Sequence, residues 1–161
     1  MAVGDDARVE ETSAEIEQVY RAEALKMWRA IMGYAGDPGV ADDAVSEAFA
    51  RALHHRDSIH DLRAWTWRVA FRVAAAELRT RARHDEGSLV DAAEPSADAA
   101  DLVTALRRLP ERQRLALVLH DYADRPTAEV AAIMGCTPAT VLVHLSRGRK
   151  RLRGLLEVRD A

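Results

Sequence analysis

The sequence predicts an all-α protein made of two small helical domains joined by a flexible acidic linker. Three observations carry this. The 161-residue chain holds only 8 glycines and 5% aromatic residues, and is dominated by Ala, Leu and Arg, which favour helix. No stretch alternates apolar and polar residues with period two. Apolar residues instead recur at helical spacing through several segments punctuated by Gly and Pro.

Taken in order, residues 1–12 read as a disordered acidic extension. A first helix starts near Ser13, a possible N-cap, and reaches Met32, where Gly33, Gly36, Asp37-Pro38 and Gly39 break it. A second covers Val40 to His54, with Ala41, Ala44, Val45, Ala48, Phe49 and Ala52 on one face. A polar loop follows, and a third helix spans Leu62 to Arg83, closing a domain over residues 13–83. Residues 84–98 combine Gly, Ser, Pro and acids without apolar period and read as a linker. The second domain, residues 99–156, begins with a helix to Arg108. Pro110 opens the next, to Tyr122, and Asp124-Arg125-Pro126 forms a turn. A short helix from Thr127 to Met134 ends at Gly135, and Thr137-Pro138 starts a last helix to about Leu156.

Composition narrows function. Cys136 is the single cysteine, so no internal disulfide forms. The N-terminus lacks a signal-like apolar stretch, and no apolar run has membrane-spanning length, so the expected place is the cytoplasm, away from membrane. There is no Gly-rich phosphate loop and no nucleophile–base constellation, so neither an enzyme nor a cofactor is expected. His54, His55 and His60 share one polar loop, but no Cys or partner from the third helix completes a ligand set, so no metal is expected. Net charge is −3, but it is segregated. Residues 84–101 hold six acids and no Lys or Arg, whereas residues 102–161 hold eleven bases against six acids, and residues 24–83 ten against seven. Two basic blocks flanking an acidic segment suit two DNA-facing modules, and chance segregation in an Arg-rich chain is the alternative.

Two helices carry the chemistry. Ala131, Gly135 and Val141 stand at helix-turn-helix spacing: a small residue at the crossing, a residue tolerant of a left-handed turn, and an apolar anchor. Val130, Ile133 and Leu145 add core, though an ordinary helical hairpin would satisfy the same spacing. The last helix then carries Arg147, Arg149, Lys150, Arg151 and Arg153, suited to phosphate contacts or to the helix dipole. In the third helix Arg68, Arg72, Arg79 and Arg83 share a face flanked by Trp65, Trp67 and Phe71. Such a stripe suits single-stranded nucleic acid. Phe71 and at least one Trp are expected in the core, because a small helical domain needs large side chains inside.

The stretch ALRRLPERQRLALVLHDYADRPTAEVAAIMGCTPATVLVHLSRGRKRLR resembles region 4 of the extracytoplasmic-function sigma factors of bacterial RNA polymerase. ADDAVSEAFARAL followed by LRAWTWRVAFRVAAAELRTRAR resembles region 2 of the same family. The resemblance implies a non-enzymatic subunit whose partners are the β and β′ subunits of core polymerase and promoter DNA, with an anti-sigma factor as a further candidate. It implies core docking through Asp43, Glu47, Phe49 and Arg51. It implies −10 contacts by His54, His55, Arg56, Ser58, His60, Trp65, Arg68, Arg72 and Arg79. The −35 contacts would fall to Thr137, Thr140, His144, Arg147, Arg149, Lys150 and Arg151. It also implies that the acidic linker threads toward the RNA exit path. The chain departs from the family where Leu142, Val143 and His144 replace polar or basic residues, and where Arg72 replaces Asn. Gly148, inside a helix, reads as a soft point costing about 1 kcal/mol relative to Ala.

Overall fold

A computed structural model describes residues 3–84 and 97–160. The expected linker lies mostly outside these residues. Seven α-helices build the described fold: α1 (Val3–Ala35), α2 (Pro38–His55), α3 (Leu62–His84), α4 (Ala97–Arg107), α5 (Glu111–Leu117), α6 (Thr127–Met134) and α7 (Pro138–Asp160).

The first helix is longer than its sequence suggested. Residues 3–12 belong to α1 and are not a disordered extension. Asp5 and Asp6 in its first turn face the positive end of the helix dipole, and the next breaker comes only at Gly36. Gly36 adopts φ +65° and donates its N–H to the Met32 carbonyl at 2.8 Å, which stops the helix. Gly33 does not break it. The missing side chain there lets Val118 and Leu106 of the C-terminal unit approach α1.

The Asp37 carboxylate caps α2, accepting from the N–H groups of Gly39 (2.8 Å) and Val40 (3.3 Å), with Pro38 in the first turn. The same carboxylate takes Arg81 of α3 at 2.5 Å, locking the far end of α3 onto the start of α2. Helices α1, α2 and α3 close around Met27, Ile31, Tyr34, Val40, Trp67 and Phe71. The indole N–H of Trp67 donates to the buried Glu23 carboxylate at 2.8 Å, and Glu23 also pairs with Arg63. Burying that carboxylate is therefore offset by two charge-assisted or polar contacts.

In the C-terminal half, α5 continues through a π-helical turn, Val118–Tyr122, so the expected helix to Tyr122 exists but widens at its end. Leu119, Val130, Val141 and Leu145 form the core beneath α7. The two units share one apolar core, with a polar contact zone at its edge. The Tyr34 hydroxyl donates to Glu111 at 2.6 Å, and the Arg114 guanidinium lies 5.4 Å from the Tyr34 ring centre. Burial, then the Glu111 carboxylate, push the Tyr34 phenol well above its ordinary range, so it stays a donor. Arg125, only 7% exposed, sits 5.0 Å from the Trp67 ring centre. Lys26 reaches Asp124 at 3.2 Å.

Candidate nucleic-acid interface

The C-terminal motif folds as its spacing predicts. Ala131 and Val141 are buried, and Gly135 takes the left-handed conformation (φ +65°, ψ 39°) between α6 and α7. The chain bends by 94° there, within the range of DNA-binding helix pairs. Thr137 caps α7: its Oγ1 accepts from the Thr140 N–H at 3.2 Å and contacts the Thr140 hydroxyl at 2.9 Å. Both threonines thus have local partners at the helix entrance.

The basic residues of α7 separate into two sets. Arg149 donates twice to the Asp121 carboxylate, at 2.8 and 2.6 Å, which ties α7 to the π turn. Arg149 holds Asp121 below the usual carboxylate range, against the opposing effect of burial. The Arg149 guanidinium, expected at DNA, is thus paired with Asp121 at the surface, with about half of its side chain still exposed. Arg147, Lys150, Arg151 and Arg153 are exposed. His144 is half-buried, its Nδ1 is buried without a hydrogen-bond partner among the described residues, and burial with Arg112 and Arg147 lowers its pKa. Gly148 is not a soft point: a Cβ there would lie 3.1 Å from Leu117 Cδ1 and 3.3 Å from Gln113 Cβ, so its absence lets α5 and α7 pack closely.

In α3, Arg72, Arg79 and Arg83 are exposed and Arg68 is half-buried. Trp67 and Phe71 are core, stacked with ring centres 6.0 Å apart, while Trp65 stays half-buried beside the stripe. His54, His55 and His60 are exposed around the loop between α2 and α3. Arg56 and Ser58 also have partners within the chain. Arg56 pairs with Glu15 of α1 and donates to the Ile59 carbonyl at 2.8 Å, and the Ser58 hydroxyl donates to the His55 carbonyl at 2.8 Å. On α2, Asp43 and Glu47 are exposed, with Glu47 paired to Arg51 at 2.6 Å. Phe49 is 6% exposed and packs edge-on against Tyr20 at 5.0 Å, so it holds α2 to α1.

Comparison with known proteins matches both halves in order. Residues 19–84 match Sigma-70 region 2 and residues 99–152 match Sigma-70, region 4. An RNA polymerase sigma-E factor of Streptomyces antibioticus is 31% identical over 156 residues, spanning 91% of this chain and 87% of its own. The chain belongs to the extracytoplasmic-function sigma factors. The ECF RNA polymerase sigma factor EcfG of Rhodopseudomonas palustris is 32% identical over 139 residues, 79% of this chain and 77% of its own. Among solved structures, the sigma factor RpoE of Bartonella quintana, in complex with the anti-sigma factor NepR, superposes with a TM-score of 0.74 at 25% identity, covering 92% of this chain and 98% of that one. The geometry above is thus that of a sigma factor in which the region 2 and region 4 units pack against each other.

Neither Arg125 over Trp67 nor the close approach at Gly148 was legible in the sequence. Both depend on elements distant in the chain meeting in space. The Asp121–Arg149 pair has no sequence signal either, at 28 residues' separation.

Proposed function

We propose that this sigma factor directs promoter-specific transcription initiation. It docks on core RNA polymerase through the exposed acidic face of α2, centred on Asp43 and Glu47, and reads DNA with two helices. The row Arg68, Arg72 and Arg79 on α3, with the exposed histidines of the preceding loop and Trp65, holds the melted −10 strand. Duplex at the −35 element meets the outward face of α7. The work is binding, not bond chemistry: unstacking a base costs a few kcal/mol, offset by strand capture and phosphate contacts. The observation that carries the reading is that both basic faces are solvent-exposed and sit on the two helices that the region 2 and region 4 matches span. Because RpoE was solved with an anti-sigma factor bound, a protein inhibitor of this chain is part of the proposal. The site of action is the bacterial cytoplasm.

Run-off transcription tests this. The chain, added to sigma-free core polymerase on a pooled genomic promoter library, is expected to yield transcripts sharing one upstream motif. A stable complex with core that initiates nowhere would overturn promoter recognition. Absence of any complex would overturn polymerase docking.

A further inference from the structure

On α7, the buried side is Val141, Leu145 and Gly148. At about 100° per residue, Ala139, Val143, Ser146 and Lys150 face the opposite way, flanked by Leu142 and Arg147. This outward face has two zones. Its C-terminal half is cationic, through Arg147, Lys150 and Arg153. Its N-terminal half, the part nearest the turn, is aliphatic: Leu142 is 57% exposed and Val143 46%. The second helix of a helix-turn-helix enters the major groove with its N-terminal residues against base edges. Leucine and valine have no hydrogen-bonding atoms in their side chains. The one major-groove feature they can recognise is the C5-methyl of thymine.

We propose that Leu142 and Val143 are specificity-determining residues that select thymine in the upstream promoter element by burying its methyl group, while Arg147 and Lys150 hold the flanking phosphates. The inference rests on the reading that α7 meets duplex DNA. The cationic zone on the same face favours this occupant over an apolar protein segment, since a protein dock over Val143 would leave Arg147 and Lys150, one and two turns along the same face, desolvated without phosphate. One alternative to methyl burial is weakened by geometry: the Nδ1 of His144 is buried.

The experiment uses the full chain bound to core polymerase. Duplexes enriched from a library randomised upstream are resynthesised with deoxyuridine in place of thymidine, one position at a time. Removing one methyl from the contact is expected to weaken binding about fourfold at one or two positions, the equivalent of about 0.8 kcal/mol at 1.4 kcal/mol per decade. The doubly truncated Leu142→Ala, Val143→Ala variant is expected to bind thymidine and deoxyuridine duplexes alike. Restoring a methyl with 5-methylcytosine at a sensitive position, paired with guanine, is expected to regain part of the loss. Enriched duplexes that bind the wild-type complex equally well with uracil would overturn methyl readout while leaving promoter recognition intact. A uracil effect that persists undiminished in the double variant would assign the methyl contact to other residues. Failure to enrich any duplex would overturn promoter reading and this inference with it. Loss of a bound protein, with DNA selectivity unchanged in the variant, would reassign the face to that protein.

Discussion

Helices α3 and α7 are each 23 residues long and rich in arginine, yet they divide their apolar residues in opposite ways. In α3 the large residues Trp67 and Phe71 are sealed beneath α1 and α2, leaving the exposed arginines beside the half-buried Trp65. In α7 the residues sealed inside are Val141 and Leu145, and the aliphatic pair Leu142 and Val143 faces water. A hydrophobic residue beside a basic stripe therefore has no fixed meaning. How the neighbouring helices are arranged around it decides. Helix α3 is embraced by α1 and α2 and meets α6 as well, so most of its circumference is core. Helix α7 lies over α4, α5 and α6 with one side open, so apolar residues on that side must find a use outside the domain or be tolerated in solvent.

The sharpest way to break this contrast is Trp67→Ala. It should cost about 3–5 kcal/mol in urea unfolding, because it empties a fully buried site and takes a partner from Glu23 and the cover from Arg125. A loss below about 1 kcal/mol would mean that α3 is not enclosed by α1 and α2 as described. The two glycines of α7 sharpen the comparison within one helix. Gly148→Ala should lose about 1–2 kcal/mol, since the new methyl meets Leu117 and Gln113, whereas Gly154→Ala, with nothing within 4 Å, should gain up to about 1 kcal/mol in thermal unfolding. A gain of equal size at both positions would show that α5 yields easily.

Arg149→Ala should cost about 0.5–1 kcal/mol at neutral pH, the worth of a bidentate pair that is still partly in water. Asp121 has its pKa lowered in the folded state, chiefly by Arg149. Its contribution is therefore present above the unfolded carboxylate pKa and is lost as pH falls through the lower folded one. Unfolding curves of the variant and the parent should converge in that acid window; a gap that stays constant there would place the effect in packing. Smallest of all, Leu142→Ala with Val143→Ala should change stability by no more than about 0.5 kcal/mol. A cost above 1 kcal/mol would show that the outer face of α7 is packed after all.

Much of this was readable before any fold was known. Spacing and punctuation were enough for α2, α3, α6 and the turn at Gly135, because capping residues, Gly and Pro act within a few residues of themselves. The same locality explains the misreadings. Gly33 resembled a breaker until Val118 arrived against it, and the packing of Phe49 on Tyr20 had no sequence signal. Residues 3–12 resembled loose chain because their apolar content is low, yet they continue a helix whose later turns are anchored in the core. The ion-pair partners of Arg56 and Arg149 were hidden as well, because charge is visible in sequence and its partners are not: Glu15 and Asp121 lie 41 and 28 residues away.

By itself, then, the sequence determined the helical class, the two-part order, the left-handed turn of the DNA-reading motif and its family, all of which rest on short-range patterns. The tertiary structure decided which cations are free, which aromatics are core, and that Leu142 and Val143 remain exposed while Gly148 is enclosed. Those outcomes depend on which faces other helices cover, and burial is a property of the packed chain, not of any segment of it.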